Sequence, residues 1–103
     1  MIVSFKGKTP VLDPSVFVAP GSKIIGEVIV GEESTIWFNA VLRGDEGLIS
    51  IGKRCSIQDN STIHLYENAP VIVGDEVTVG HNVILHGCRV GRRSIIGMGS
   101  TIL

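Results

Sequence analysis

The three histidines of this 103-residue chain, His64, His81 and His86, fall within one stretch rich in Val and Ile. Imidazole is the commonest side-chain ligand of zinc-like ions. Three imidazoles leave a fourth position open to water, the layout of a catalytic rather than a structural centre. Zn2+ fits such a set, and Fe2+ or Co2+ accepts the same donors. Whether three rings can meet depends on the backbone that carries them.

That backbone is legible as a repeat. Aliphatic residues recur at every sixth position: Leu12, Val18, Ile24, Val30, Ile36 and Leu42, then Ile51, Ile57 and Ile63, then Val73, Val79 and Leu85, then Val90, Ile96 and Ile102. Four places after most of them stands a small or slender residue, such as Ser22, Ser34, Ala40, Cys55 or Ser61. A period of six is neither a helical 3.6 nor a plain alternation. With 13 glycines it predicts an all-β chain, a parallel β-helix of hexapeptide repeats with three hexads to each triangular coil, about five coils in one domain over residues 1–103.

The step breaks in three places. Leu42 to Ile51 leaves three residues over around positions 43–47, and Ile63 to Val73 leaves four over around 65–70. Leu85 to Val90 is one residue short. Loops on a rigid scaffold are where function concentrates. The sequence stops at Leu103, just after a hexad begins and with no polar cap. Solenoid ends need covering, so the expectation is a fragment of a longer parent or an end covered by a neighbouring chain.

With the four extra residues set aside, His64 and His86 are one full coil apart, and each directly follows an inward aliphatic, Ile63 or Leu85. Both rings are therefore expected on one wall, stacked at the strand spacing of about 4.8 Å. That is close enough to share an ion at about 2.0–2.1 Å from each nitrogen. His81 follows Val79 by two and belongs to the neighbouring wall. A third ligand from there reaches the same ion from an adjacent copy, which predicts a cyclic homotrimer with a metal at each interface.

The strings Val79-Gly80-His81-Asn82-Val83-Ile84-Leu85-His86-Gly87-Cys88 and Gly97-Met98-Gly99-Ser100, preceded by Arg43-Gly44-Asp45 and Ile57-Gln58-Asp59, resemble the gamma-class carbonic anhydrase family over essentially the whole chain. The resemblance implies a left-handed β-helix, a trimer, and reversible hydration of CO2 to bicarbonate by a metal-bound hydroxide at a subunit interface. It maps His64, His81 and His86 onto the metal ligands and Gln58 onto the residue that contacts the metal-bound water. Arg43 and Asp45 correspond to an intersubunit salt bridge, and Asp59 to a polar residue that orients the site. The family's C-terminal helix, which packs along the prism, has no counterpart in this sequence. Regenerating hydroxide requires a proton carrier, and the loop carboxylates Glu46 and Glu67 are the candidates.

Composition narrows the partners. A net charge of -1 with only 9 Lys and Arg offers no basic stripe for nucleic acid or an anionic membrane. No apolar run is long enough to span a bilayer, and the first residues lack the pattern of a signal peptide, so a cytoplasmic location is expected. Cys55 and Cys88 form no CxxC pair and read as reduced thiols, Cys55 in a small inward slot. Two other functions fit the same pattern: a catalytically weak or inactive structural or assembly subunit of the same fold, and a CoA-dependent acyltransferase. The second rests on the scaffold alone, and acyltransferases of this kind use one base histidine rather than three converging ones.

Overall fold

The computed structural model describes residues 1–103 and contains strands and turns with no helix. One wall is a five-stranded parallel sheet of Phe17–Val18, Thr35–Ile36, Ser56–Ile57, Thr78–Val79 and Ile95–Ile96. A second wall stacks Ile2–Val3, the first halves of Lys23–Val30 and Val41–Ile51, then Thr62–His64, Ile84–His86 and Thr101–Ile102. The third holds Val11–Leu12, the second halves of the same two long strands, Val71–Val73 and Arg89–Val90. The long strands run round the corner unbroken, which joins the second and third walls into one nine-stranded sheet. The result is a parallel β-helix of about five coils, of the left-handed hexapeptide type.

Register follows the hexads. Ile24 pairs with Leu42, Leu42 with Ile63, Ile63 with Leu85 and Leu85 with Ile102; Val18, Ile36, Ile57, Val79 and Ile96 form the column on the first wall. Ile24, Ile36, Leu42, Ile57, Ile63 and Leu85 are fully buried. Each such side chain contributes about 1.5–3 kcal/mol of burial, so these columns hold the prism together. The series begins earlier than Leu12, since Ile2 pairs with Ile24. The antiparallel bridge between Phe5 and Lys8 in the intervening loop hides that first hexad from a strict six-residue count.

Most corners turn through one left-handed residue. The residue three places after the inward aliphatic takes a left-handed φ at Glu33 (58°), Asn39 (62°), Arg54 (53°), Asn60 (63°), Glu76 (58°), Asn82 (54°) and Arg93 (60°). The small residue after it then turns inward. Two of these are serines whose hydroxyls tie successive coils together. Ser34 Oγ donates to the Gly52 carbonyl at 2.8 Å and accepts from the Cys55 N–H at 3.0 Å; Ser61 Oγ donates to Gly80 at 2.7 Å and accepts from Val83 at 3.1 Å. Buried hydroxyls are thereby fully paired.

Both extra loops sit at the corner that follows the second wall. Pairing shifts there between Gly26 and Val28 on one strand and Gly44 and Ile49 on the next, so residues 45–48 bulge outward. In the 65–70 loop Leu65 turns inward and is buried. A Cβ on Gly47 would lie 2.6 Å from Leu65 Cδ1, so the second loop packs into room that only a glycine in the first leaves.

Candidate metal centre

His64 and His86 are register partners on adjacent coils, with ring centroids 5.0 Å apart and planes inclined at 71°. His64 Nδ1 lies 3.1 Å from His86 Nε2. Two nitrogens that share one ion at about 2.05 Å, with bond angles near tetrahedral, are separated by about 2.9–3.4 Å. The separation suits a common metal, and it is also that of a hydrogen bond between the two rings. On its other side, His64 Nε2 donates to Asp45 Oδ1 at 2.9 Å, and Arg43 Nη1 donates to Asp45 Oδ2 at 2.7 Å. This carboxylate holds the His64 proton on Nε2 and leaves the Nδ1 lone pair facing His86, the support that metal-binding imidazoles generally need. Burial pushes the Asp45 carboxyl up, but the hydrogen bonds from His64 and Arg43 and the nearby positive charge outweigh it and hold the group below the ordinary carboxylate range. His86 Nδ1 is buried with no hydrogen-bond partner.

Glu46 also approaches, with Oε2 3.4 Å from His64 Nε2. Asp45, Glu46 and His64 thus bring three potential ligand atoms within 4.8 Å of one another. Both Asp45 oxygens are already engaged, one by His64 and one by Arg43. Asp45 therefore supports the histidine pair rather than competing with it. Glu67 lines a depression of about 420 Å³ that also includes Glu46, Leu48 and Pro70.

His81 stands apart from this pair, just past the first-wall strand Thr78–Val79, with about half of its side chain exposed. Its Nδ1 is 3.4 Å from Asp59 Oδ1, and the two share a depression of about 290 Å³ with Trp37, Ser56 and Gln58. The candidates thus fall into two groups on one chain: His64, His86, Asp45 and Glu46 in one, His81, Gln58 and Asp59 in the other. Arg43 and Asp45, expected to bridge subunits, are paired within the chain. Residues two apart on a strand project to the same side, and here each is the other's nearest opposite charge.

One neighbour of the site was not among the sequence candidates. The Tyr66 ring stacks edge-to-face on His86, with centroids 4.2 Å apart and planes at 70°. Cys55 fills its inward slot, Cys88 is half-buried, and both thiols are free. Burial raises the pKa of each.

Known proteins place this geometry in a family. Residues 70–103 match the model described as bacterial transferase hexapeptide (six repeats). A carbonic anhydrase of Geobacillus kaustophilus is 52% identical over 103 residues, covering 100% of this chain and 57% of that protein. Gamma carbonic anhydrase 1, mitochondrial, of Arabidopsis thaliana is 45% identical over 102 residues, covering 93% of this chain and 37% of its own length. The chain belongs to the gamma-class carbonic anhydrase family. It spans little more than half the length of the first of these gamma carbonic anhydrase relatives and less of the second. A solved hexapeptide transferase family protein from Anaplasma phagocytophilum superposes with a TM-score of 0.96 at 38% identity, covering 100% of this chain and 60% of that one. Gamma carbonic anhydrase membership implies a metal cofactor, and the paired imidazoles with their carboxylate are a donor set suited to one.

Proposed function

We propose that this chain carries the catalytic coils of a carbonic anhydrase that interconverts CO2 and bicarbonate, at a centre built by His64 and His86 of one copy and His81 of another in a homotrimer. The observation that carries the reading is the 3.1 Å approach of His64 Nδ1 to His86 Nε2, with Asp45 fixing the proton on the far side of His64. When bound there, Zn2+, Fe2+ or Co2+ supplies the Lewis acidity that brings ionisation of water close to neutral pH.

The protein's own groups do the rest. Gln58 presents an amide beside His81, where it holds a substrate oxygen as negative charge grows on it; fixed dipoles are effective because they need no reorganisation. Hydration of CO2 releases one proton for each bicarbonate formed. Glu46, 3.4 Å from His64 Nε2 and about half exposed, takes that proton towards solvent, and Glu67 across the same depression is the second carrier. Asp59 keeps His81 turned to its wall. Between copies, the exposed Arg43 guanidinium is free to exchange Asp45 for the carboxylate of a neighbour, which would fix the register of assembly.

Acyl transfer, the chemistry suggested by the scaffold, needs one histidine with a nitrogen free to act as base. His64, with both nitrogens engaged by His86 and Asp45, does not suit that role. Metal analysis combined with stopped-flow CO2 hydration tests the proposal. A folded, metal-loaded protein that hydrates CO2 well above the buffer rate is expected. The same loaded protein running no faster than buffer would leave the assembly-subunit reading standing and refute the enzymatic one.

A further inference from the structure

The two histidines of the pair are held by different means. His64 is oriented by a charged acceptor on its outer nitrogen, whereas His86 has no acceptor on Nδ1 and yet sits in register. Metal-binding imidazoles need something beyond the metal to fix their ring plane. The one group in the structure stacked on His86 other than His64 is Tyr66, edge-to-face at 4.2 Å. We infer that Tyr66 is a positioning residue that orients His86 for metal binding, in place of the carboxylate that serves His64. This rests on the metal-centre reading proposed above.

Tyr66 is half exposed, and the loop that carries it is fixed by its neighbours. Its carbonyl accepts from the Ala69 N–H at 3.1 Å, closing the loop into a tight turn with Asn68 at a left-handed φ of 63°. Leu65, immediately before it, is anchored in the core beneath Gly47. Opposite its ring lies Gly87, at a φ of 55°, where an added Cβ would be 2.8 Å from Tyr66 Cδ2. Other residues of this chain adopt that backbone, but a side chain at position 87 would crowd the Tyr66 ring, and glycine leaves the room it needs beside His86. The Gly87 N–H donates to the His64 carbonyl at 3.1 Å, so the glycine that admits Tyr66 also joins the two histidine strands. The four-residue insertion after His64 thereby has a role that its acidic content alone does not give it: it folds an aromatic face back onto the ligand one coil away.

The test uses the whole chain loaded with Co2+, whose visible absorption reports the geometry of its ligands. Tyr66→Phe should retain the wild-type spectrum, since the ring carries the role. Tyr66→Ala should alter the cobalt bands and release metal to a chelator about tenfold faster, a loss typical of removing an outer support of a metal ligand. Tyr66→Leu, which keeps apolar bulk over Gly87, should fail in the same way and serves where the Ala variant does not fold. In the metal-free protein, the His86 ring protons should shift in the NMR spectrum when Tyr66 is replaced by Leu, as the aromatic ring current is lost. Wild-type cobalt uptake with unchanged bands and release rate in both Tyr66→Ala and Tyr66→Leu overturns the role of Tyr66 alone. A wild-type chain that takes up no cobalt overturns the metal reading and this inference together.

Discussion

Single residues show how unevenly the chain's chemistry could be read in advance. His64 and His86 were legible by counting, because a ladder of fixed register turns sequence spacing into vertical stacking. His81 was legible as the odd one out for the same reason. Tyr66 was not, because no spacing rule says that a residue two places after His64 folds back across a coil; that depends on the shape of a loop whose length departs from the hexad. The pairing of Arg43 with Asp45 inside one chain is a further contact that the family pattern, which points outward to a neighbour, does not give. Cys55 gives a residue-scale prediction. Burial, the largest influence on it, raises its thiol pKa, and Sγ lies 3.0 Å from the Gly74 carbonyl. A raised pKa means less thiolate at any given pH, and the thiolate is the reactive form. Iodoacetamide labelling read by peptide mass should therefore spare Cys55 in the native protein at mildly alkaline pH and modify it fully in guanidinium. Equal labelling rates in the two conditions would contradict the packing described.

At the scale of the element, the inward columns were readable almost in full, because one repeating contact decides every wall. What the aliphatic period does not carry is the order of charges at the corner between the third wall and the first. Four successive coils present Glu32-Glu33, Lys53-Arg54, Asp75-Glu76 and Arg92-Arg93 there, acidic and basic in alternation. Lys53 lies 3.6 Å from Glu32, while Glu76 lies 3.9 Å from Arg54 below and 3.4 Å from Arg93 above. Exposed pairs of this kind are each worth at most about 1 kcal/mol, against about 2–5 kcal/mol for truncating a core aliphatic to alanine. The core therefore sets stability and register, and the ladder adds a small penalty against skipping one coil, which would lay like charge on like. Glu76→Lys should destabilise the chain by about 1 kcal/mol in low-salt urea titrations, with the loss shrinking as added salt screens the corner. A loss that does not respond to salt would mean that backbone strain at the left-handed position, and not charge, is responsible.

For the whole molecule, the proposed function has a consequence that pairs of variants can read. His64 and His86 project from one wall and His81 stands at the end of another, so in the proposed trimer a complete set of three imidazoles is drawn from two copies in a head-to-tail contact. Such contacts close into rings when the rotation between copies allows it. His81→Ala keeps the pair and lacks the third ligand; His64→Ala lacks the pair and keeps His81. Each variant alone should lose metal. Co-expressed, they restore a complete site wherever the first chain's pair meets the second chain's His81, once in every mixed ring of three. Random assembly in equal amounts then predicts metal at about a quarter of the wild-type level. Co-expressing His64→Ala with His86→Ala should restore nothing, because no chain in that mixture has both imidazoles of the pair. A centre confined to one chain predicts no recovery in either mixture, and a carboxylate centre around Glu46 predicts that His81→Ala alone keeps its metal. Metal content per chain, measured on the separated ring fraction, distinguishes these cases, because only a site shared between copies makes two defective chains better than either one.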